Sequence, residues 1–478
     1  MGQIKFFLRA SLDVFQELTR LVTDWQLSCR SCPSFEIPSD FFGVNVAAAE
    51  NPQSDGYILE RLKALDIKQV RMAFTYDSFD SPSQRLLDQL LAKGFDVMLV
   101  VVPPREKARA ILFDTTAQNE WIAFVRKVLS RYAGSVSILE VGSTPNRKKW
   151  SGYRLRSYIK AWQLATKQVE HTAICLAGPN VQDFEPHANR LLLKAMQRIS
   201  VAPNVHTNNL FVERVIEPEA YDHRALGALA TKVVKLNLIK KARILKSIGS
   251  RVGCQRFFST CFFWSTKRLR RTSLWPQQKK VDYKARYLIL AASSGALDRI
   301  YWGPLICSRD GLICDGNTDY PEIDHSTFYG KIRGEYADFS ITPAFKSLAY
   351  VSKRLQGSFC EAAVNTVEGL HHFSFKGADG RYFHACWCRD GQAIRLTDLY
   401  SPEQLAMAEF TDACGFSVTD PMSISEQVFF VDFPSATSQV LAAVSSPASY
   451  HYPDADVFYP SSPVVDSYFT LDFATGET

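Results

Sequence analysis

Between residues 40 and 306 the hydrophobic pattern alternates between two periods. Short runs rich in β-branched and aromatic residues are separated by longer stretches whose apolar positions recur every three to four residues, as on an amphipathic helix. The runs fall at 41–46, 69–74, 96–103, 136–143, 172–180, 203–209, 256–264 and 298–306. DVMLVVVP at 96–103 is apolar throughout, as befits a strand buried on both faces of a parallel sheet. Helical stretches occupy 55–66, 81–94, 117–133, 151–170, a basic region at 224–249, and 282–296. Eight strands alternating with helices predict an α/β fold, a closed (β/α)8 TIM barrel. The rival is a doubly wound open sheet, but no GxGxxG or P-loop segment follows any strand.

The texture changes after SITPAFKSLAYVSKRLQGSF (340–359), a predicted ring-closing helix. HHFSFKG, RYFHACWC, AIRLTDL and VFFVDFP alternate with period two, and Ala378-Asp379-Gly380 is a hairpin turn signal. The predicted organisation is an N-terminal helical extension (1–38), the barrel (39–357), a small antiparallel β-sandwich-like domain (358–436) and a loosely ordered tail (437–478). Phe7, Leu8, Leu12, Phe15, Leu18 and Val22 lie on one face of the N-terminal stretch. It is expected to pack on the body; the lesser alternative is a peripheral membrane contact.

Composition narrows the class. The chain has 478 residues, 46% hydrophobic and 22% charged, which suits one large and one small globular domain. A net charge of +6 is too mild to imply nucleic acid. Eleven cysteines cannot all pair within the chain, and with an N-terminal stretch that reads poorly as an export signal the expectation is a reducing, cytoplasmic compartment, with a place peripheral to an inner membrane as the further expectation. Cys29/Cys32 has no second CxxC, and Cys386/Cys388 alternates like strand residues, so neither a metal nor any cofactor is expected.

In such a barrel the chemistry sits at the carboxyl ends of the strands. The fourth strand ends in Glu140-Val141-Gly142-Ser143-Thr144-Pro145-Asn146, followed by Arg147-Lys148-Lys149-Trp150. The seventh ends in Ser259-Thr260-Cys261-Phe262-Phe263-Trp264, and the eighth in Tyr301-Trp302-Gly303-Pro304. Together with Arg71 after strand two and Asn209-Leu210-Phe211 after strand six, these segments resemble the retaining glycoside hydrolases of the large (β/α)8 clan, the β-xylosidase and α-iduronidase group. The resemblance spans roughly residues 40–355. It implies an acid/base glutamate where Thr144 stands, after an asparagine where Ser143 stands, and a nucleophilic glutamate where Cys261 stands. Both catalytic glutamate positions are therefore substituted, and Asn209 replaces a histidine.

Retaining hydrolysis uses two carboxyl groups about 5 Å apart. A threonine hydroxyl is too weak an acid to protonate a leaving group, and a cysteine attacks only as a thiolate. The leading expectation is a catalytically degenerate, glycosidase-like pseudoenzyme that binds an anionic saccharide. The resemblance adds an expected role in bacterial cell-surface polysaccharide or lipopolysaccharide metabolism. The alternatives are an active glycosidase with relocated carboxylates and a protein-interaction scaffold. Glu140 and Glu213 are the candidate substitutes, beside Asp77, Asp80, Asp222 and His223, two of which would suit an inverting pair about 6.5–9.5 Å apart.

The acidity of the ligand rests on Arg147, Lys148 and Lys149 after strand four and Lys267, Arg268, Arg270 and Arg271 after strand seven, expected to flank the mouth. Trp150, Trp264 and Trp302 are candidate stacking platforms, and Arg71, Ser143, Asn146 and Asn209 candidate polar contacts. The basic residues Lys232, Lys235, Lys240, Lys241, Arg243 and Lys246 are expected to form a solvated helix face.

Overall fold

A computed structural model describes residues 34–199, 201–210, 216–220, 235–317, 329–363, 369–419, 421–433 and 448–449. Glu213, Asp222, His223, Lys232, Phe211, Cys29, Cys32 and the N-terminal and C-terminal stretches lie outside them, apart from 34–38 and 448–449. Strand β1 (Phe35–Glu36) precedes the barrel strands β2 (Phe42–Val46), β3 (Gln69–Phe74), β4 (Asp96–Val101), β5 (Ile138–Val141), β6 (Cys175–Gln182), β7 (Val205–Asn209), β8 (Arg256–Phe262) and β9 (Arg299–Pro304). All eight pair in parallel with their neighbours, and β9 closes on β2. Each predicted strand lies where the period-two and fully apolar runs placed it.

Side chains alternate across each barrel wall. Met98, Ile138, Ala177, Val205, Phe258 and Tyr301 point inward and form a separate apolar layer at mid-barrel. Room for the Tyr301 ring comes from Gly43 on β2, where a Cβ atom would stand 2.5 Å from it. The amino end is closed by Arg299, which donates to Asp96 at 2.8 Å and pairs with Asp40. The outward residues pack beneath the ring of helices as the main core.

The helices begin as their sequences suggest. Ser81 caps Pro82–Ala92 by accepting from the Ser83 N–H, and Asp114 caps Thr115–Tyr132 by accepting from Thr116 N–H. The basic region departs from its expected solvated face. Helix Leu238–Ser250 buries Lys241, while Arg243 and Lys246 donate to the carbonyls of Ser294 and Gly295. Their long stems reach the next helix–strand connection and satisfy carbonyls there.

After the two-residue ribbon of β10 (Ile313–Cys314) and β11 (Ser340–Ile341), helix Pro343–Leu355 closes the ring. The second domain contains β12 (Phe359–Ala363), β13 (Leu370–Lys376), β14 (Tyr382–Cys388), β15 (Gln392–Arg395), β16 (Glu409–Asp412), β17 (Ser423–Ile424), β18 (Phe429–Phe433) and β19 (Ala448–Ser449). Its main antiparallel sheet runs β1-β12-β13-β14-β18-β16, so Phe35–Glu36 supplies an edge strand to the distant domain. The β13–β14 hairpin turns through Ala378–Gly380, with Gly380 at φ +82°. Cys386 and Cys388 are both buried, and burial pushes the Cys388 thiol up to about 12.

The barrel and the C-terminal sheet share one apolar core, and beside it they also meet on a seam of buried charge. Arg286, on helix Pro276–Ala292, contacts Glu219 and Asp390 at 2.9 Å each and donates to the Glu426 carbonyl. Lys279 bridges Asp390 at 2.9 Å and Glu426 at 3.0 Å, and Arg389 holds Glu217 at 2.7 Å. Glu217 and Glu219 belong to the connection after β7, so the seam ties a barrel-mouth loop to the second domain.

Candidate functional site at the barrel mouth

Above the apolar mid-layer the inward positions turn polar. Asn45 comes from β2, Arg71 from β3, Glu140 from β5, Asn180 from β6, Thr207 and Asn209 from β7, and Thr260 from β8. Arg71 donates through Nε to Glu140 at 2.8 Å, approaches it through Nη2 at 2.6 Å, and donates through Nη1 to Asn45 at 2.9 Å. Asn45 in turn donates to the carbonyls of Thr260 and Trp302 at 3.0 and 2.6 Å. Burial raises the Glu140 carboxyl above its ordinary range, against the opposing pull of the Arg71 guanidinium and the Thr207 hydroxyl.

One layer further out, the Thr260 hydroxyl faces the amide oxygens of Asn180, at 2.6 Å, and Asn209. Asn180 donates to Ser143 at 3.3 Å, and its carbonyl accepts from the Thr144 N–H at 3.0 Å. Asn180 thus links the ends of β5 and β8: Thr144 bonds its backbone and Thr260 its side chain. Thr144 and Asn180 both hold left-handed backbone, at φ +44° and +50°. For a β-branched residue such as Thr144 this is an outlier, and strained backbone is concentrated at sites where surrounding structure enforces it.

Several sequence-predicted residues stand elsewhere. The inward residue at the end of β8 is Thr260, not Cys261. A bulge between Ser259 and Phe262 sets two residues against one on β9, and Cys261 joins the core between strands and helices, near the Tyr287 hydroxyl. A thiol in that layer does not face the mouth. Trp302 also points outward, because Tyr301 before it points in. Its ring meets Phe262 edge-on at 5.3 Å, with the ammonium groups of Lys280 and Lys284 about 6 Å from its centre. Trp264 packs against Tyr283 and Tyr287. Both tryptophans are 1% exposed and offer no face to a ligand. Trp150, in the short helix Lys148–Ser151 beyond β5, remains half-buried.

The basic rim also changes. Arg147 pairs with Asp183 at 2.9 Å and with Glu185 at 2.5 Å, two residues just past β6. Burial opposes its charge, yet the two carboxylates hold its pKa above the usual value. Asn146 locks the same loops together by donating to Glu185 at 2.8 Å and accepting from the Gln182 N–H at 2.9 Å. Lys148, Lys149, Lys267, Arg270 and Arg271 are exposed. Asp77 and Asp80 are also exposed, on the loop after β3.

Sequence reading missed Asn45, Asn180, Thr260, Asp183 and Glu185. Strand parity would have shown Asn45, two residues after Gly43 on the inward face.

With this geometry in view, the comparisons are informative about fold. No family model and no curated protein matches the sequence. Among solved structures, the chain is similar to a family 39 glycoside hydrolase from Bacteroides cellulosilyticus WH2, at 14% identity and TM-score 0.56, covering 83% of this chain and 81% of that one. A glucosidase from Croceicoccus marinus matches at 12% identity and TM-score 0.54, covering 85% and 97%. A GH51 arabinofuranosidase from Xanthomonas axonopodis pv. citri matches at 8% identity and TM-score 0.50, covering 84% and 97%. The barrel with its β-domain is thus a glycosidase-like architecture, and at these identities the likeness concerns the fold alone.

Proposed function

We propose that this chain is a glycosidase-like protein that has lost retaining hydrolysis and binds an anionic saccharide at the barrel mouth. The observation that carries the reading is the makeup of the two outer polar positions. At the ends of β5 and β8, joined through Asn180, stand Thr144 and Thr260, and neither brings a carboxyl group. Beneath them Glu140 is sealed from solvent and paired with Arg71. At 0% exposure Glu140 presents no carboxyl oxygen to a ligand in the mouth, either as nucleophile or as proton donor. Ser143 and Asn146 stay half-buried at the rim, and such hydroxyls and amides hold sugar hydroxyls through hydrogen bonds without an acid pair. The exposed cations Lys148, Lys149, Lys267, Arg270 and Arg271 support an acidic ligand. A place in bacterial cell-surface polysaccharide metabolism is the setting that fits the resemblance.

A glycan array probed with the full chain tests this reading. Acidic glycans are expected to be retained above neutral ones, with retention falling as salt rises and lost in Asn209→Ala. Retention of no glycan at any ionic strength overturns it.

A further inference from the structure

Next to the mouth, at the same end of the barrel, the loops after β4 and β5 build a second surface. The short helix Arg105–Ala110 follows β4 and packs on Lys148–Ser151 and on the helix Leu155–Val169. Gly152 fixes this approach: it sits at φ +72°, and a Cβ there would stand 2.1 Å from the Arg105 carbonyl oxygen. Only glycine meets both demands.

Between these segments lies a groove of about 440 Å³ whose lining includes Glu106, Arg109, Leu112, Phe113, Asp114 and Arg154. That volume falls in the roughly 300–1,000 Å³ range of small-ligand sites. Phe113 is 83% exposed, although the chain has a large core to receive it. Arg109 and Arg154 of the lining are exposed, as are Arg105, Lys148, Lys149 and Arg156 on the same segments. None of them forms an ion pair among the described residues, whereas nearby Lys107 pairs with Glu120 and Arg147 with Asp183 and Glu185. Of the two acids in the lining, Asp114 is engaged in capping its helix through the Thr116 N–H.

We propose that this groove is an acidic-sugar subsite extending the mouth, in which Phe113 stacks on a uronic acid ring and Arg109 and Arg154 hold its carboxylate. The inference rests on the reading of the mouth as a saccharide site and adds where the acidic group is recognised. A flat ring beside two guanidinium forks suits a ring that is apolar on one face and bears a planar carboxylate at its edge. Glu106 remains as an acceptor for ring hydroxyls. Groove and mouth both stand at the carboxyl end of the barrel, the groove beside the loops after β4 and β5, so one oligosaccharide crossing the rim would meet both.

The test is isothermal titration of the full chain with a galacturonic acid hexamer and, as neutral control, cellohexaose. The wild type is expected to bind the acidic hexamer at least tenfold more tightly. The Arg109→Glu/Arg154→Glu double variant should remove that preference while keeping the affinity for cellohexaose. Phe113→Ala should weaken the acidic hexamer three- to tenfold. These side chains are exposed, so the variants are expected to fold, and circular dichroism checks this. If the double variant keeps the acidic preference, the subsite is overturned while saccharide binding at the mouth stands. If the wild type binds neither hexamer, both readings fall. If polyglutamate or a DNA oligonucleotide binds more tightly than the acidic hexamer, the groove serves another class of polyanion and the proposal is overturned.

Discussion

The barrel mouth and the domain seam are both buried polar clusters, and they use acids in opposite ways. Among the described residues the inner mouth has one carboxyl group, Glu140, paired with one arginine, and above it a network of amides and hydroxyls. The seam gathers Glu217, Glu219, Asp282, Asp390 and Glu426 around Arg286, Lys279 and Arg389. Burying charges is costly unless each is paired and hydrogen-bonded, and the seam pairs its cations with carboxylates across the junction of the barrel and the C-terminal sheet. The mouth has no comparable stake in charge. Its polar groups bond one another as neutral amides and hydroxyls, at modest strength. Acids thus abound a short distance from the mouth, while the ends of β5 and β8 carry Thr144 and Thr260.

The largest effect expected from breaking this contrast is at the seam. Arg286→Met strands several buried carboxylates and should cost about 3–5 kcal/mol of stability in denaturant unfolding. Unchanged stability would mean that the seam is peripheral to the fold. A pH series sharpens the point through Asp282, whose carboxyl burial lifts to about 7, with Arg286 acting the other way. Its folded pKa lies above the unfolded value, so its contribution favours the folded state at low pH and is lost as pH rises towards 7. Between pH 4 and 7 this amounts to about 1.4 kcal/mol per unit, or roughly 4 kcal/mol in all. Asp282→Asn should flatten that slope in urea titrations at pH 5, 6 and 7; a slope equal to the wild type would show that Asp282 stays ionised.

The mouth should respond less in stability. Thr260→Val leaves the amide oxygens of Asn180 and Asn209 facing each other without a donor and should cost about 1–3 kcal/mol, with loss of saccharide binding. The smallest effect is a gain. Thr144→Gly relieves a left-handed backbone and should stabilise the chain by about 0.5–1 kcal/mol, visible as a small rise in Tm.

Much of the barrel was legible because strand and helix periods differ and the apolar runs are long. The site was legible only in part. Glu140, Arg71, Asn209 and Ser143 lie together at the carboxyl end of the barrel. Cys261, Trp264 and Trp302 were assigned to it by their place at strand ends, but facing depends on parity, and the bulge at Ser259–Phe262 shifts parity on β8. The neutralisation of Arg147 depends on Asp183 and Glu185 of the neighbouring loop, a contact that exists only once β5 and β6 lie side by side. Phe113 carried no signal at all, since a single phenylalanine after a strand ordinarily belongs to the core. The pairing of Phe35–Glu36 with the second domain escaped because two residues have no period.

The most direct test of the central claim is aryl release from a panel of aryl glycosides and aryl uronides between pH 5 and 8, measured for the wild type beside Glu140→Gln. The account predicts no release above buffer for either protein. Steady turnover by the wild type, abolished in Glu140→Gln, would contradict it and make the chain a working glycosidase.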